Sequence, residues 1–208
     1  MIEFSLTGIK ITATAKQIEA MRSEFKNNHF VLIKHLLPKN LFSKVLKGMP
    51  PRAFKKMIHK NISVELCLKS NMAFAFLRFL TNNYAFFDLI QKITGCAPIG
   101  CFNGRVYRMS PGAHYDSWHD DWAHTRMIAM SINLSENKFQ GGELSLRPKK
   151  SPEQIVSIIN RGPGDAVLFQ LAKNLEHRVG DVRGKYPRTA FAGWFQAKPN
   201  YITLLRNM

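Results

Sequence analysis

His119 and Asp121 stand two residues apart in the stretch Tyr115-Asp116-Ser117-Trp118-His119-Asp120-Asp121-Trp122. On an extended strand, residues at that spacing leave the same face, which would put an imidazole beside a carboxylate. These are two thirds of a facial metal set. A His/His/carboxylate set on one face of iron(II) leaves the remaining positions open, as O2-activating non-haem oxygenases require. The third ligand must come from elsewhere in the chain. His177, in Asn174-Leu175-Glu176-His177-Arg178-Val179, is of the right type and lies 58 residues beyond His119, far enough for intervening strands to return. His114 and Asp116 form a rival His-x-Asp pair. The His-Asp-Asp setting, with Arg126 downstream, favours His119; His124 reads as a turn residue.

Eleven residues after His177, Arg188 opens the segment Arg188-Thr189-Ala190-Phe191-Ala192-Gly193-Trp194-Phe195. As a strand, it would carry Arg188, Ala190, Ala192 and Trp194 on one face. A guanidinium at the strand start, with small neighbours leaving space, is suited to gripping a carboxylate bidentately. Trp118 and Trp122 flank the metal stretch, each a candidate for a substrate wall or for the core. Met109 and Arg105 share a strand face with Tyr107 and are candidates to line the same pocket. Arg126 is placed to touch substrate or to pair with a nearby acid.

The rest of the chain reads as the frame for these groups. Residues 15–27 predict a polar helix and His29 to Ile33 a short strand. Pro38 opens a helix that Gly48 and Pro50-Pro51 stop. Residues 52–70 read as basic and irregular. Helices are predicted over 71–80 and 83–93, the second ended by Gly95. From residue 99 the texture turns to β, with strands over 101–109, 126–134, 143–147, 166–171, 175–179 and 188–196. Turns fall at Pro111-Gly112, Gly141-Gly142 and Arg161-Gly162-Pro163-Gly164; Pro-Gly suits a type II turn. This pattern predicts a mainly β protein with flanking helices (α+β). Its core would be a double-stranded β-helix (jelly roll) over 99–208, packed against an N-terminal helical flank over 1–98 of the same domain.

A length of 208 residues suits one domain with a proper core. No run of about 18 apolar residues is present, so no membrane span is predicted. The N-terminus lacks the basic-then-apolar layout of a signal peptide. Three cysteines without metal-type spacing suit reduced thiols and a cytoplasmic setting. The net charge is +16, and residues 1–60 alone hold 12 Lys/Arg against 3 Asp/Glu. Such an excess suits an anionic partner: an acidic protein, an anionic small molecule or a nucleic acid.

The chain resembles the Fe(II)/2-oxoglutarate-dependent dioxygenases, in the prolyl-4-hydroxylase-like branch. The resemblance runs over about residues 99–196 and more loosely over Phe30–Leu46. It is carried by Val106-Tyr107-Arg108, His119-Asp120-Asp121, Gly141-Gly142-Glu143-Leu144, Pro163-Gly164-Asp165, Glu176-His177-Arg178-Val179 and Arg188 leading into Gly193-Trp194-Phe195. It implies Fe(II) held by His119, Asp121 and His177, with 2-oxoglutarate and O2 as co-substrates and ascorbate as a supporting reductant. It further implies that Arg188 salt-bridges the distal carboxylate of 2-oxoglutarate and that Tyr107 hydrogen-bonds the co-substrate. Some relatives carry Ser two residues after the anchoring Arg; here that residue is Ala190, leaving Thr189 or Tyr107 to supply the hydroxyl.

The leading functional expectation is a hydroxylase of an unactivated C–H in a peptide, protein or amino-acid-like small molecule. The alternatives are an oxidative nucleic-acid demethylase, suggested by +16 and by Arg183 five residues before Arg188, and a non-catalytic metal-binding jelly-roll protein. The retained Asp121 argues against halogenation, since related halogenases lack this carboxylate.

Overall fold

The computed structural model describes residues 1–123, 125–160 and 162–198. The turn reading at His124, the Arg161 end of the next turn and residues 199–208 of the expected core fall outside the described residues. The chain opens with a hairpin, β1 (Ile2–Ser5) and β2 (Gly8–Ile11), then α1 (Ala15–Asn28), β3 (Phe30–Ile33) and α2 (Lys39–Lys47). Thr14 and Gln17 close a capping box at the start of α1: Gln17 N–H donates to Thr14 Oγ1 and Thr14 N–H to Gln17 Oε1.

A 3-10 turn (Pro51–Ala53) leads to β4 (Phe54–His59) and β5 (Ser63–Leu68), then α3 (Met72–Thr81) and α4 (Tyr84–Thr94). The side chains of Asn71 and Asn83 cap these two helices, and Gly95 ends α4 in the left-handed region. Residues 52–70 are therefore not irregular, as the sequence suggested, but mostly a β-hairpin. Its first strand lies at a sheet edge, where lysines replace the apolar alternation that would have revealed it.

The β-rich portion follows as β6 (Ile99–Met109), β7 (Tyr115–Asp116), β8 (Arg126–Asn133), β9 (Gln140–Gly141), β10 (Leu144–Pro148), β11 (Val156–Ile158), β12 (Ala166–Gln170), β13 (Leu175–Val179), β14 (Val182–Arg183) and β15 (Arg188–Ala197). These strands form a double-stranded β-helix. Its major sheet runs β3-β12-β8-β15-β6-β5-β4, with β7 attached to β5, and its minor sheet runs β11-β10-β13. The N-terminal segment thus supplies strands β3, β4 and β5 to the major sheet as well as helices. Gly164 shows how tightly the two portions meet. It turns at φ +77°, and a Cβ there would stand 2.0 Å from the carbonyl oxygen of Leu37.

The helices pack on the outer face of the major sheet. Phe86 and Phe87 of α4 meet Phe195 of β15 at 5.8 and 6.2 Å, and Phe74 of α3 meets Phe191 at 6.4 Å, all edge-on. The aromatic richness of α3 and α4 is helix-to-sheet packing. Between the sheets lie two apolar clusters. One contains Cys67, Met109, Phe139 and Val179; the other contains Leu144, Leu146, Val167 and Phe169.

Candidate metal and co-substrate site

His177 sits in the middle of β13, whose pairing with β10 fixes its side chain toward the space between the sheets. The segment expected to be a strand around His119 is not one: β7 stops at Asp116, and His119 itself is held by a single antiparallel bridge to His177. That bridge joins the two histidines. His177 N–H donates to the His119 carbonyl at 2.9 Å, and His119 N–H donates to the His177 carbonyl at 3.1 Å. The imidazole centroids are 4.4 Å apart in consequence. Asp121 Oδ2 lies 3.8 Å from His119 Nε2 and 3.4 Å from His177 Nε2. One ligand atom from each of the three residues falls within 4.8 Å of the others.

The surroundings orient these donors. His119 Nδ1–H donates to the Ser117 carbonyl at 2.7 Å, which leaves the Nε2 lone pair directed at the centre of the cluster. Trp194 Nε1–H donates to Asp121 Oδ2 at 2.9 Å. The guanidinium of Arg126 approaches Asp121 Oδ1 at 3.5 Å and lies over the Trp194 ring at 3.8 Å. Asp116 Oδ2 accepts from Val179 N–H at 2.7 Å and ties this loop to β13. Burial by itself would lower the pKa of His119, but hydrogen bonding to Asp121 and the Asp116 charge raise it to about 9. Burial would raise Asp121, yet hydrogen bonds from the two imidazoles hold it far below the usual carboxylate range. Two imidazoles and one carboxylate thus converge on a spot that favours a cation, and the donor set fits iron(II).

Arg188 opens β15 and is 5% exposed. Its Nη1–H donates to the Tyr107 hydroxyl and its Nη2–H to Ser131 Oγ at 3.4 Å. No carboxylate of the described residues lies within ion-pair distance of it. A buried guanidinium without a counter-ion is costly, so the site is built for an incoming anion. Gly142, at φ +67°, gives it room: a Cβ there would be 2.8 Å from Arg188 Cδ. Arg188, Tyr107, Ser131 and the metal cluster all line one cavity of about 340 Å³. Its volume lies at the small end of the range for small-molecule sites.

Met109 and Arg126 also line this cavity, whereas Trp118 and Trp122 do not. The guanidinium groups of Arg147 and Arg178 lie over the Trp118 ring, at 4.0 and 4.8 Å, and the Lys173 ammonium lies over Trp122 at 4.3 Å. Thr189 faces away from the cavity and accepts a hydrogen bond from Arg108 Nε at 3.1 Å. The hydroxyl beside Arg188 other than that of Tyr107 is instead Ser131, on the small-residue face of β8. His114 stands apart from the cluster, with Nδ1 accepting from Ser110 N–H at 2.8 Å. Arg183 lies on β14, off the cavity.

Besides Ser131, two contributions escaped the sequence reading. The Trp194 indole on Asp121 depends on β15 crossing the metal loop, and Glu65 comes from a hairpin read as irregular. Glu65 is buried against the cavity wall and pairs with Arg105 at 2.8 Å and His59 at 3.1 Å.

Residues 104–196 match the family model described as the 2OG-Fe(II) oxygenase superfamily. Among solved structures, a Pseudomonas putida prolyl-4-hydroxylase superposes with a TM-score of 0.65 at 17% identity, over 87% of this chain and 99% of its own. A Trichoplax adhaerens prolyl hydroxylase, in complex with a hypoxia-inducible-factor oxygen-degradation-domain peptide fragment, superposes with a TM-score of 0.65 at 16% identity, over 89% and 94%. The epimerase SnoN, in complex with Fe3+, alpha-ketoglutarate and nogalamycin RO, gives 0.67 at 10% identity, over 92% and 90%. No curated protein sequence matches. Residues 104–196 are thus similar to the 2OG-Fe(II) oxygenase superfamily, and the chain shares its fold with prolyl-4-hydroxylases and other 2OG-Fe(II) oxygenases of known structure.

Proposed function

We propose that the chain hydroxylates an unactivated C–H of a peptide or protein residue, or of an amino-acid-like small molecule, with release of succinate and CO2. The observation that carries this is the joint placement of a His119/Asp121/His177 cluster and a buried, carboxylate-free Arg188 on one cavity. The Trichoplax enzyme, which shares the fold, is seen with a peptide, and this supports the peptide end of the range.

In this reading His119, Asp121 and His177 hold the iron, and Arg188 with the Tyr107 hydroxyl binds the distal carboxylate of 2-oxoglutarate. Bound together, iron, 2-oxoglutarate and O2 supply a decarboxylation coupled to oxidation of a substrate C–H. The remaining work belongs to the chain. Ser131 adds a third polar contact beside the carboxylate, and Trp194 and Arg126 keep Asp121 from rotating. The apolar clusters on either side of the cavity keep water from the reacting centre.

The test is anaerobic. Fe(II) and 2-oxoglutarate added to metal-free protein should give a weak visible charge-transfer band. His119→Ala should abolish it, and Arg188→Ala should require far more 2-oxoglutarate to reach it. Aerobic incubation with a peptide panel should then yield succinate and a product heavier by one oxygen atom. A folded wild-type protein without the band would overturn the proposal.

A further inference from the structure

The mouth of the catalytic cavity is continuous with an edge of the major sheet. Among the described residues, β4 is the terminal strand of that sheet, paired with β5 on one side and with no strand on the other. Its outward backbone N–H and C=O groups therefore form a row open to another extended chain. The strand leads directly to the site: His59 at its end and Ile62 and Ser63 of the hairpin line the cavity.

Two further properties of this edge point to an occupant. Apolar side chains are left in solvent along it, with Met57 43% exposed, Ile58 65% and Ile62 39%. The charge around them is of one sign. Residues 25–64 hold nine Lys/Arg and no Asp or Glu, and Arg52, Lys55, Lys56 and Lys60 all sit exposed on or beside the hairpin. The Lys55 ammonium also holds that of Lys69, at the end of the hairpin, below its ordinary value. Like charges gathered this way favour an anionic occupant. Apolar side chains interleaved with the lysines on an open backbone edge suit a peptide better than a nucleic acid. Phe54, the one aromatic residue of the hairpin, is buried and offers no exposed ring for bases to stack on.

We propose that β4 is a docking strand for an acidic, extended segment of the substrate protein, which adds to the sheet edge and delivers a neighbouring residue past His59 and Ile62 into the catalytic cavity. This rests on the hydroxylase reading and narrows its substrate class to acidic peptides. A segment with two consecutive Asp/Glu next to two consecutive Val/Ile would set its carboxylates beside Lys55 and Lys56, one on each face, and its apolar residues beside Met57 and Ile58.

The probe is a fluorescent twelve-residue peptide of three Glu-Glu-Val-Val repeats, followed by anisotropy on the iron- and 2-oxoglutarate-loaded protein without O2. Saturable binding is expected, weakened about tenfold by the double change Lys55→Glu/Lys56→Glu. Methylating alternate backbone nitrogens of the peptide should weaken it comparably, since that removes the edge hydrogen bonds. The charge-transfer band of the double variant should match wild type, so a lost band in both proteins would indict the hydroxylase reading and not the docking strand. Binding indifferent to the charge reversal would overturn the proposal. So would equal affinity of the methylated peptide, or displacement by a single-stranded oligonucleotide that binds more tightly.

Discussion

Asp121 has three jobs for two oxygens. Oδ2 faces both imidazoles and also accepts the Trp194 indole N–H, while Oδ1 is approached by Arg126. Trp194→Phe keeps the ring packing and removes that hydrogen bond, so we expect metal affinity to fall about 10–100-fold. Titrating metal-free protein with Fe(II) under argon would measure this. Protonation enters with a definite sign. His119 is raised to about 9 in the metal-free protein, so its contribution to stability is complete below the unfolded imidazole value and is lost as pH rises through about 9. Asp121 is depressed, so its contribution is present above the unfolded carboxylate value and is lost only in strong acid. The same His119 proton must leave before a metal binds, and apparent metal affinity is expected to climb between pH 6.5 and 9. Equal dissociation constants across that range would contradict it. Cys67 is pushed up to about 12, chiefly by burial and then by Glu65, and should resist thiol reagents at neutral pH in folded protein. At this scale residue type and spacing were enough to single out the three side chains that converge, His119, Asp121 and His177, and the buried Arg188. They could not find Ser131 or Trp194, whose roles exist only because β8 and β15 are neighbours.

The elements succeed or fail as carriers of those residues. β15 brings Arg188, Ala192 and Trp194 to the cavity from one face, as strand alternation predicts. The neighbouring turn at Gly142 is as important as the strand. Gly142→Ala would place a methyl 2.8 Å from Arg188 Cδ and strain a positive φ, at a cost of about 1–3 kcal/mol. We expect its 2-oxoglutarate requirement to rise about tenfold while iron binding is kept, since one unit of 1.4 kcal/mol is a factor of ten. Parallel titrations of metal and co-substrate would separate the two. Helix ends were legible because their signals are local: Asn71, Asn83 and Gly95 each act within a few residues. The β4–β5 hairpin was not legible, because an edge strand rich in lysine has neither an apolar alternation nor a buried face of its own. The metal loop was misread in the opposite direction. Its two-residue spacing suggested a strand, while a single bridge to β13 suffices to place His119.

For the molecule as a whole, the helices and the sheets share one core. Phe191 and Phe195 are fully buried between β15 and the helices α3 and α4. Phe195→Ala should destabilise the fold by about 3–5 kcal/mol, measurable by denaturant unfolding. The β-rich half is not expected to stand alone. A fragment beginning at residue 99 would lose β3 from β12 and β5 from β6, exposing two long edges and the aromatic outer face. It should aggregate, and a cooperative unfolding transition from that fragment would refute this. Composition foresaw the charge but not where it gathers, because the fold alone decides that residues 52–60 end up beside the cavity.

The reciprocal pair of hydrogen bonds between the backbones of His119 and His177 has a practical meaning. Two donors of one cluster are also two partners of one bridge, so anything that clamps their rings together also locks their amides. Hydrogen–deuterium exchange at just these two N–H groups should slow when the site is loaded and speed up on chelation. The backbone would then serve as an occupancy gauge, one that needs neither a chromophore nor a known substrate.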